Sequence, residues 1–395
     1  MRSPFLPYSV PYIGDEEIAE VIDSLRNGFL TAGPKVKIFE AQFADFIGTK
    51  HAIAVNSCTA ALELALAALD IGPGDEVIVP TLTFCATANV VEHRRATTVL
   101  VDVGEDLQID AEAVERAISH KTRAVIPVHY GGQACDLKSV LQLANRKGVA
   151  VIQDAAHSVG TEYDQRKIGA DGLVTAFSFY PSKNMTTGEG GMLTTSDNRL
   201  AERLRVLSLH GIRRDSASKE IGPWLYEIYE PGYKAKMTDL QASIGIHQLR
   251  RLEGFISRRR EIAQIYSDAF KNLPELVLPV DLPGRPHAYH LYTVRIVAER
   301  CRLQRDTFIQ QLKKAGIGSS VHFIPLHRHP YYRDKYEYPA TSFPVAEAFF
   351  PKILSLPLYP KMSDGDVLRV ISAVRDIICA AQNARHCSSV QRRTS

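Results

Sequence analysis

No stretch of this 395-residue chain is apolar for long enough to cross a bilayer, which excludes a membrane-spanning helix. The opening MRSPFLPYSVPYIGDEEIAEVI also lacks the continuous apolar core of a secretory leader, so the chain is expected in the cytoplasm. An excess of either charge is missing too, with 47 Lys plus Arg against 44 Asp plus Glu. That balance gives no reason to expect nucleic acid or an anionic membrane as a partner and leaves a small molecule or a protein. The six cysteines (Cys58, Cys85, Cys135, Cys301, Cys379 and Cys387) form no CxxC pair. Their scatter argues against a metal site and a disulfide framework and predicts reduced thiols. Internal repeats and low-complexity blocks are likewise absent.

What is present is an alternating pattern. Residues 1–13, with three prolines and two tyrosines, read as an extended arm, and Gly14-Asp15-Glu16-Glu17 opens a helix to about Leu25. A loop at 27–34 and an amphipathic helix at 36–47 follow. Strands are then expected at 52–55, 76–79, 97–101, 123–128, 149–153 and 173–179, with helices at 59–68, 85–93, 111–118 and 137–146 between them. This is the signature of an α/β protein with a mostly parallel sheet covered on both faces, whose ligands bind at the carboxyl ends of the strands. Residues 238–270 read as one or two long helices linking a large unit (14–250) to a smaller C-terminal α/β unit (251–382). The smaller unit is expected to hold strands at 290–297 and 319–323, a helix at 305–315 and a closing helix from 363 to about 381. Residues 383–395 read as a tail.

Four strand ends carry chemistry. Asn56-Ser57-Cys58-Thr59 opens a helix after the first strand. Its free N–H groups suit a phosphate, although Ser57 or Thr59 could equally be an ordinary N-cap. Phe84, after the second strand, could stack on a flat heteroaromatic ring or simply pack in the core. Asp154 ends the apolar run 149–152, where a carboxylate needs a cationic partner to stay ionised; a protonated pyridine nitrogen would serve, and an N-cap role would also fit. His157 lies just beyond. Lys183 follows FSFYPS at a strand end, where desolvation can lower its pKa and make the amine a nucleophile. Most lysines are solvated surface charges, and only the convergence of all four on one sheet edge points to a pyridoxal phosphate site.

The ordered set TAGPKVKIFE, NSCTAALELAL, GPGDEVIVPTLTFCATAN, PVHYGGQACDL, IQDAAHSVG, FSFYPSKNMTTGEGGM, PGYKAKMTDLQASIG and VHFIPLH resembles the DegT/StrS family of nucleotide-sugar aminotransferases, within the fold-type I aminotransferases. The resemblance covers nearly the whole chain. It implies that Lys183 holds pyridoxal phosphate (PLP, with its aminated form PMP) through its amine and moves the substrate proton. It also implies that Asp154 pairs with the pyridine nitrogen, Phe84 stacks on the ring, and Ser57, Cys58, Thr59 and Ser178 surround the phosphate. His157 stands near the ring's phenolic oxygen. Lys236 occupies a position usually held by Asn that reaches the phosphate of a neighbouring subunit in a homodimer.

HAYHLYTVRI, RDTFIQQLKKAGIGSSVHFIPLH and SLPLYPKMS look most like the branch that aminates C4 of UDP-linked 4-keto sugars. That branch implies L-glutamate as donor and a nucleotide-linked ketosugar as acceptor, in amino-sugar biosynthesis for a surface polysaccharide, lipopolysaccharide or glycoconjugate. Thr31, Arg213, Arg214, His322 and His327 are the residues expected at the sugar nucleotide. A 3-keto sugar nucleotide or a cyclitol ketone is the alternative acceptor. A related deoxygenating branch carries histidine in place of the lysine, and Lys183 argues against it. A non-catalytic PLP-binding regulator would have lost Lys183 or Asp154, and both are present.

Overall fold

The computed structural model describes residues 4–213, 222 and 224–391. Seven strands form the main sheet: β1 (His51–Val55), β2 (Glu76–Pro80), β3 (Thr97–Val101), β4 (Thr122–Val125), β5 (Ala150–Asp154), β6 (Val174–Ser178) and β7 (Gly191–Thr195). Their order is β1-β7-β6-β5-β4-β2-β3. The pairs from β3 through β6 are parallel, and β7 runs antiparallel to both β1 and β6. Alternate residues go to opposite faces because the side-chain period of a strand is two. Thus Val77 and Val79 join one buried cluster while Ile78 joins the other, and Ile53 and Val55 separate from Ala52 and Ala54 in the same way. Helix α1 (Asp15–Asn27) and helix α2 (Pro34–Ile47) precede the sheet. Among the helices covering it, α3 (Cys58–Ala68) sends Leu62 and Leu66 to one face, whereas α2 sends Phe39 and Phe43 to the other.

Helices α4 (Ala86–His93), α5 (Ala111–Ala117), α6 (Leu137–Lys147) and α7 (Asn198–Leu207) complete this layer. The long helix α8 (Asp239–Phe270) starts in a capping box in which Thr238 Oγ1 accepts from Gln241 N and Gln241 Oε1 accepts from Thr238 N. Its first half, with Ala242, Ile246 and Leu249, packs in the core of the main sheet. Its second half, with Ile262, Tyr266 and Phe270, packs in a third cluster around an antiparallel sheet of β8 (Leu276–Val277), β9 (Tyr292–Ile296) and β10 (Ile353–Leu356). The expected division at 250/251 falls inside this helix.

Two segments differ from the sequence expectation. Residues 319–323 form no strand beyond a single bridge from Ser320 to Ser355. The N-terminal arm takes the hydrogen bonds just before them, with Leu6 N donating to Gly316 O and Gly318 N to Leu6 O, both at 2.8 Å, and the chain then turns into the wall of a cavity. The closing helix α9 (Asp364–Gln391) runs through residues 383–391, where a tail was expected. Ala380, Ala381, Gln382, Ala384 and Arg385 are good helix formers and carry the helix on.

Candidate active site

The parallel strands deliver their ends to one edge of the sheet, and a cavity of about 430 Å³ opens there. β5 places Asp154 in its wall, 5 % exposed. One carboxylate oxygen accepts from the hydroxyl of Thr87 at 2.8 Å and the other from the N–H of Ala156 at 3.1 Å. Thr83 Oγ1 stands 2.9 Å from Thr87 Oγ1, so Thr87 can give its only proton to Asp154 while receiving one from Thr83. Burial pushes the Asp154 carboxyl up, and the Ala156 N–H, the Thr87 hydroxyl and the charge of Lys183 pull it back.

Lys183 follows β6 through a turn in which its N–H donates to Tyr180 O at 2.9 Å. Burial brings its amine down to about 8, against the opposing pull of Cys58 and Asp154. A lysine so placed keeps an appreciable neutral fraction near physiological pH, which an amine nucleophile and proton carrier requires.

Just after the end of β1, α3 presents its N-terminus to the cavity. Ser57 Oγ caps this helix by accepting from Ala60 N at 3.1 Å, and Ser57 O accepts from Ala61 N. The N–H groups of Cys58 and Thr59 have no intrahelical acceptor, and both residues line the cavity. The backbone of Gly191 lies against this turn, since a Cβ there would stand 2.5 Å from Ser57 C and 2.6 Å from Cys58 N. Ser178 lines the cavity beside them.

Phe84 and a cluster of imidazoles line the same cavity. His157 Nδ1 accepts from Gly131 N at 3.2 Å, which fixes its proton on Nε2. Burial, with the charges of Lys183 and His322, holds His157 well below the usual imidazole range. Its ring packs 4.4 Å from that of His290 and 5.8 Å from that of Phe323.

The residues expected around the cofactor, namely Ser57, Cys58, Thr59, Phe84, Asp154, His157, Ser178 and Lys183, line this one cavity, and His322 joins them. Three other expectations point elsewhere. His327 is buried with both ring nitrogens engaged, Nδ1 with Thr81 Oγ1 at 2.7 Å and Nε2 with Glu347 Oε1 at 2.7 Å, and it stacks on Phe343; it is a core histidine. Arg213 pairs with Glu202 at 3.0 Å on the surface. Thr31 is exposed, and its carbonyl accepts from Asp239 N. Arg214 lies outside the described residues. Lys236 is exposed and lines a separate surface cavity with Gly33, Pro34, Lys37 and Arg205.

Tyr8, Thr87, His290 and Phe323 line the cavity without having been singled out from the sequence. Thr87 had a signal: it sits three residues after Phe84, in the first turn of α4. The others come from the arm and from the C-terminal half, and no local pattern ties them to the strand ends.

These groups suit pyridoxal phosphate. A buried carboxylate awaits a ring cation, a lysine amine is partly neutral, an aromatic face is exposed, and a helix N-terminus is open to an anion. Among the described residues no cluster of His, Cys, Asp or Glu could hold a metal ion, and no helix is long and apolar enough to cross a membrane.

Comparison with known proteins agrees. Residues 11–375 match the model of the DegT/DnrJ/EryC1/StrS aminotransferase family. The chain is 52% identical over 384 residues to the spore coat polysaccharide biosynthesis protein SpsC of Bacillus subtilis, covering 96% of this chain and 99% of that one. It superposes on the PMP form of the putative sugar aminotransferase Spr1654 from Streptococcus pneumoniae with a TM-score of 0.90 at 35% identity, covering 95% of this chain and 100% of the other. The PLP form of the same protein gives 0.88. The chain therefore belongs to the DegT/DnrJ/EryC1/StrS aminotransferase family and is a fold-type I transaminase that depends on pyridoxal phosphate.

Proposed function

We propose that this enzyme moves the amino group of L-glutamate to C4 of a UDP-linked 4-keto sugar, by a ping-pong route, to make an amino sugar for a surface polysaccharide or related glycoconjugate. The observation that carries the reaction type is the meeting of Lys183 and Asp154 in one cavity. The sugar reading is supported by the 52% identity to a protein named for spore coat polysaccharide biosynthesis and by structural likeness to a putative sugar aminotransferase.

When bound, the cofactor supplies an electron sink and carries the amine between the two half-reactions. Asp154 would hold the ring nitrogen protonated, and Thr87 and Ala156 keep that carboxylate ionised and oriented. The α3 N-terminus with Thr59 and Ser178 would take the phosphate, and Phe84 would cover the ring face. His157, with its proton on Nε2, would donate to the ring oxygen. The amine of Lys183 would take the proton from the donor's α-carbon in the first half-reaction and deliver one to the acceptor's carbon in the second. Glutamate leaves as 2-oxoglutarate, and the sugar's keto oxygen leaves as water.

The assignment includes a cytoplasmic homodimer with a composite active site, in which the position of Lys236 would face the neighbouring copy's phosphate, with Thr31 at the sugar nucleotide. It also divides the chain into a large unit at 14–250 and a small one at 251–382. The test is a screen of the PMP-loaded enzyme against UDP-4-keto sugars, 3-keto sugar nucleotides and cyclitol ketones. Turnover of the first group above the others is expected. Preference for either of the others would overturn the acceptor assignment while leaving the transaminase intact.

A further inference from the structure

A transaminase that takes an α-amino acid must hold an α-carboxylate, and a carboxylate is most strongly held by charged donors. Among the described residues, the cavity lining contains no arginine, and its only lysine is Lys183, which the chemistry occupies. The carboxylate must be met by something else.

One wall has what is needed. His290 is 5 % exposed, lines the cavity, and its Nδ1 has no hydrogen-bond partner among the described residues. A buried polar atom without a partner costs free energy unless a ligand supplies one. His322 turns Nδ1 to Ser355 Oγ at 3.0 Å, which leaves Nε2 for the cavity. The ring of Tyr8 lies 5.6 Å from that of His322.

Behind this wall is a cation without an anion. Arg259 is 2 % exposed and belongs to no ion pair among the described residues. Its Nη1 donates to the carbonyls of Leu358 at 2.7 Å, Tyr289 at 3.2 Å and His290 at 3.4 Å, and its Nε has no partner among the described residues. Burial draws the guanidinium down to about 10, with Tyr8 the opposing influence. A buried charge with no counter-charge among the described residues favours an anion brought by a ligand.

We infer that Tyr8, His290 and His322, backed by the buried guanidinium of Arg259, form the subsite for the α-carboxylate of the amino donor and of the 2-oxo acid it becomes. The three cavity residues supply neutral hydrogen-bond donors, and Arg259 supplies the field. An arginine-free subsite also suits an enzyme whose second substrate carries no carboxylate at its reacting centre, because neutral donors serve sugar hydroxyls equally well. This inference rests on the amino-acid donor assigned above.

The test uses the holoenzyme. Bleaching of the visible band of lysine-bound cofactor is titrated with L-glutamate and with isoglutamine, its α-amide, in the wild type and in Tyr8→Phe, His322→Asn and His290→Gln. The band before titration reports that each variant folds and holds cofactor. The expected result is a preference for glutamate over isoglutamine in the wild type that falls about 10-fold or more in the variants, the size of a lost hydrogen bond to a charged group. Tyr8→Phe is the variant least able to disturb packing. Undiminished preference in all three would overturn the inference and would point to a cation contributed by a second copy of the chain. If L-glutamate leaves the wild type unchanged while L-alanine bleaches it, the donor assignment alone fails, and the same comparison of alanine with alaninamide then decides the subsite.

Discussion

Thr87→Val removes one hydroxyl and keeps the shape of the side chain, so it isolates the hydrogen bond that Thr87 donates to Asp154 at 2.8 Å. Because Thr87 acts through Asp154, it is a positioning residue. A hydrogen bond to a charged group contributes about 1.5–3 kcal/mol, which converts to about 10–100-fold in rate when the ionised carboxylate is required. The sign of the pH dependence follows from the same contact. Burial already favours the neutral acid, and Thr87 is one of two donors that oppose it. Removing that donor favours protonation further, so the loss should be greatest at low pH and shrink as pH rises. The assay is single-turnover bleaching of the cofactor band by saturating L-glutamate across pH. Thr83→Val, which removes only the group behind Thr87, should lose less. Unchanged rates in Thr87→Val would refute the electrostatic role, and an equal loss at every pH would reduce Thr87 to a packing residue.

Three further outcomes are expected. Asp154→Asn should retain cofactor but slow the half-reaction by at least 10²-fold, read by stopped-flow absorbance; normal turnover would contradict the electron-sink role. Gly191→Ala should weaken cofactor retention at least 10-fold in dialysis against buffer, because its methyl would meet the backbone of Ser57 and Cys58 rather than a side chain that can move; retention like the wild type would show that the turn relaxes. Glu347, held down to about 2 by Arg328 and His327, should stabilise the fold above the ordinary glutamate pKa of 4.5 and lose that contribution as pH falls toward 2. Glu347→Gln should therefore lower the unfolding midpoint at pH 7 but not near pH 2, and a pH-independent difference would contradict the ion-pair account.

Much of this architecture was legible in the chain because buried parallel strands read as short apolar runs between turns. The run ending at Asp154 and the one preceding Lys183 are such strands, and their ends fixed the site. β7 escaped notice because Gly191-Met192-Leu193-Thr194-Thr195 opens with glycine and carries hydroxyls, although every residue in it is buried. His327 was misjudged for a different cause. It carries the right chemistry, yet both its ring nitrogens are claimed by Thr81 and Glu347, partners visible only once the chain is folded. Thr87, Tyr8 and His290 show the converse. A threonine in a helix, a tyrosine in an arm and one histidine among 13 gain a role only from the cavity they share.

The most direct test of the account is the visible absorbance of the purified enzyme and of Lys183→Ala, before and after L-glutamate. The wild type should show a lysine-bound cofactor band that bleaches on adding the amino acid, while Lys183→Ala should show neither band nor turnover. Absence of the band from the wild type even after pyridoxal phosphate is added, or its persistence with full turnover in Lys183→Ala, would contradict the assignment of this cavity as the active site.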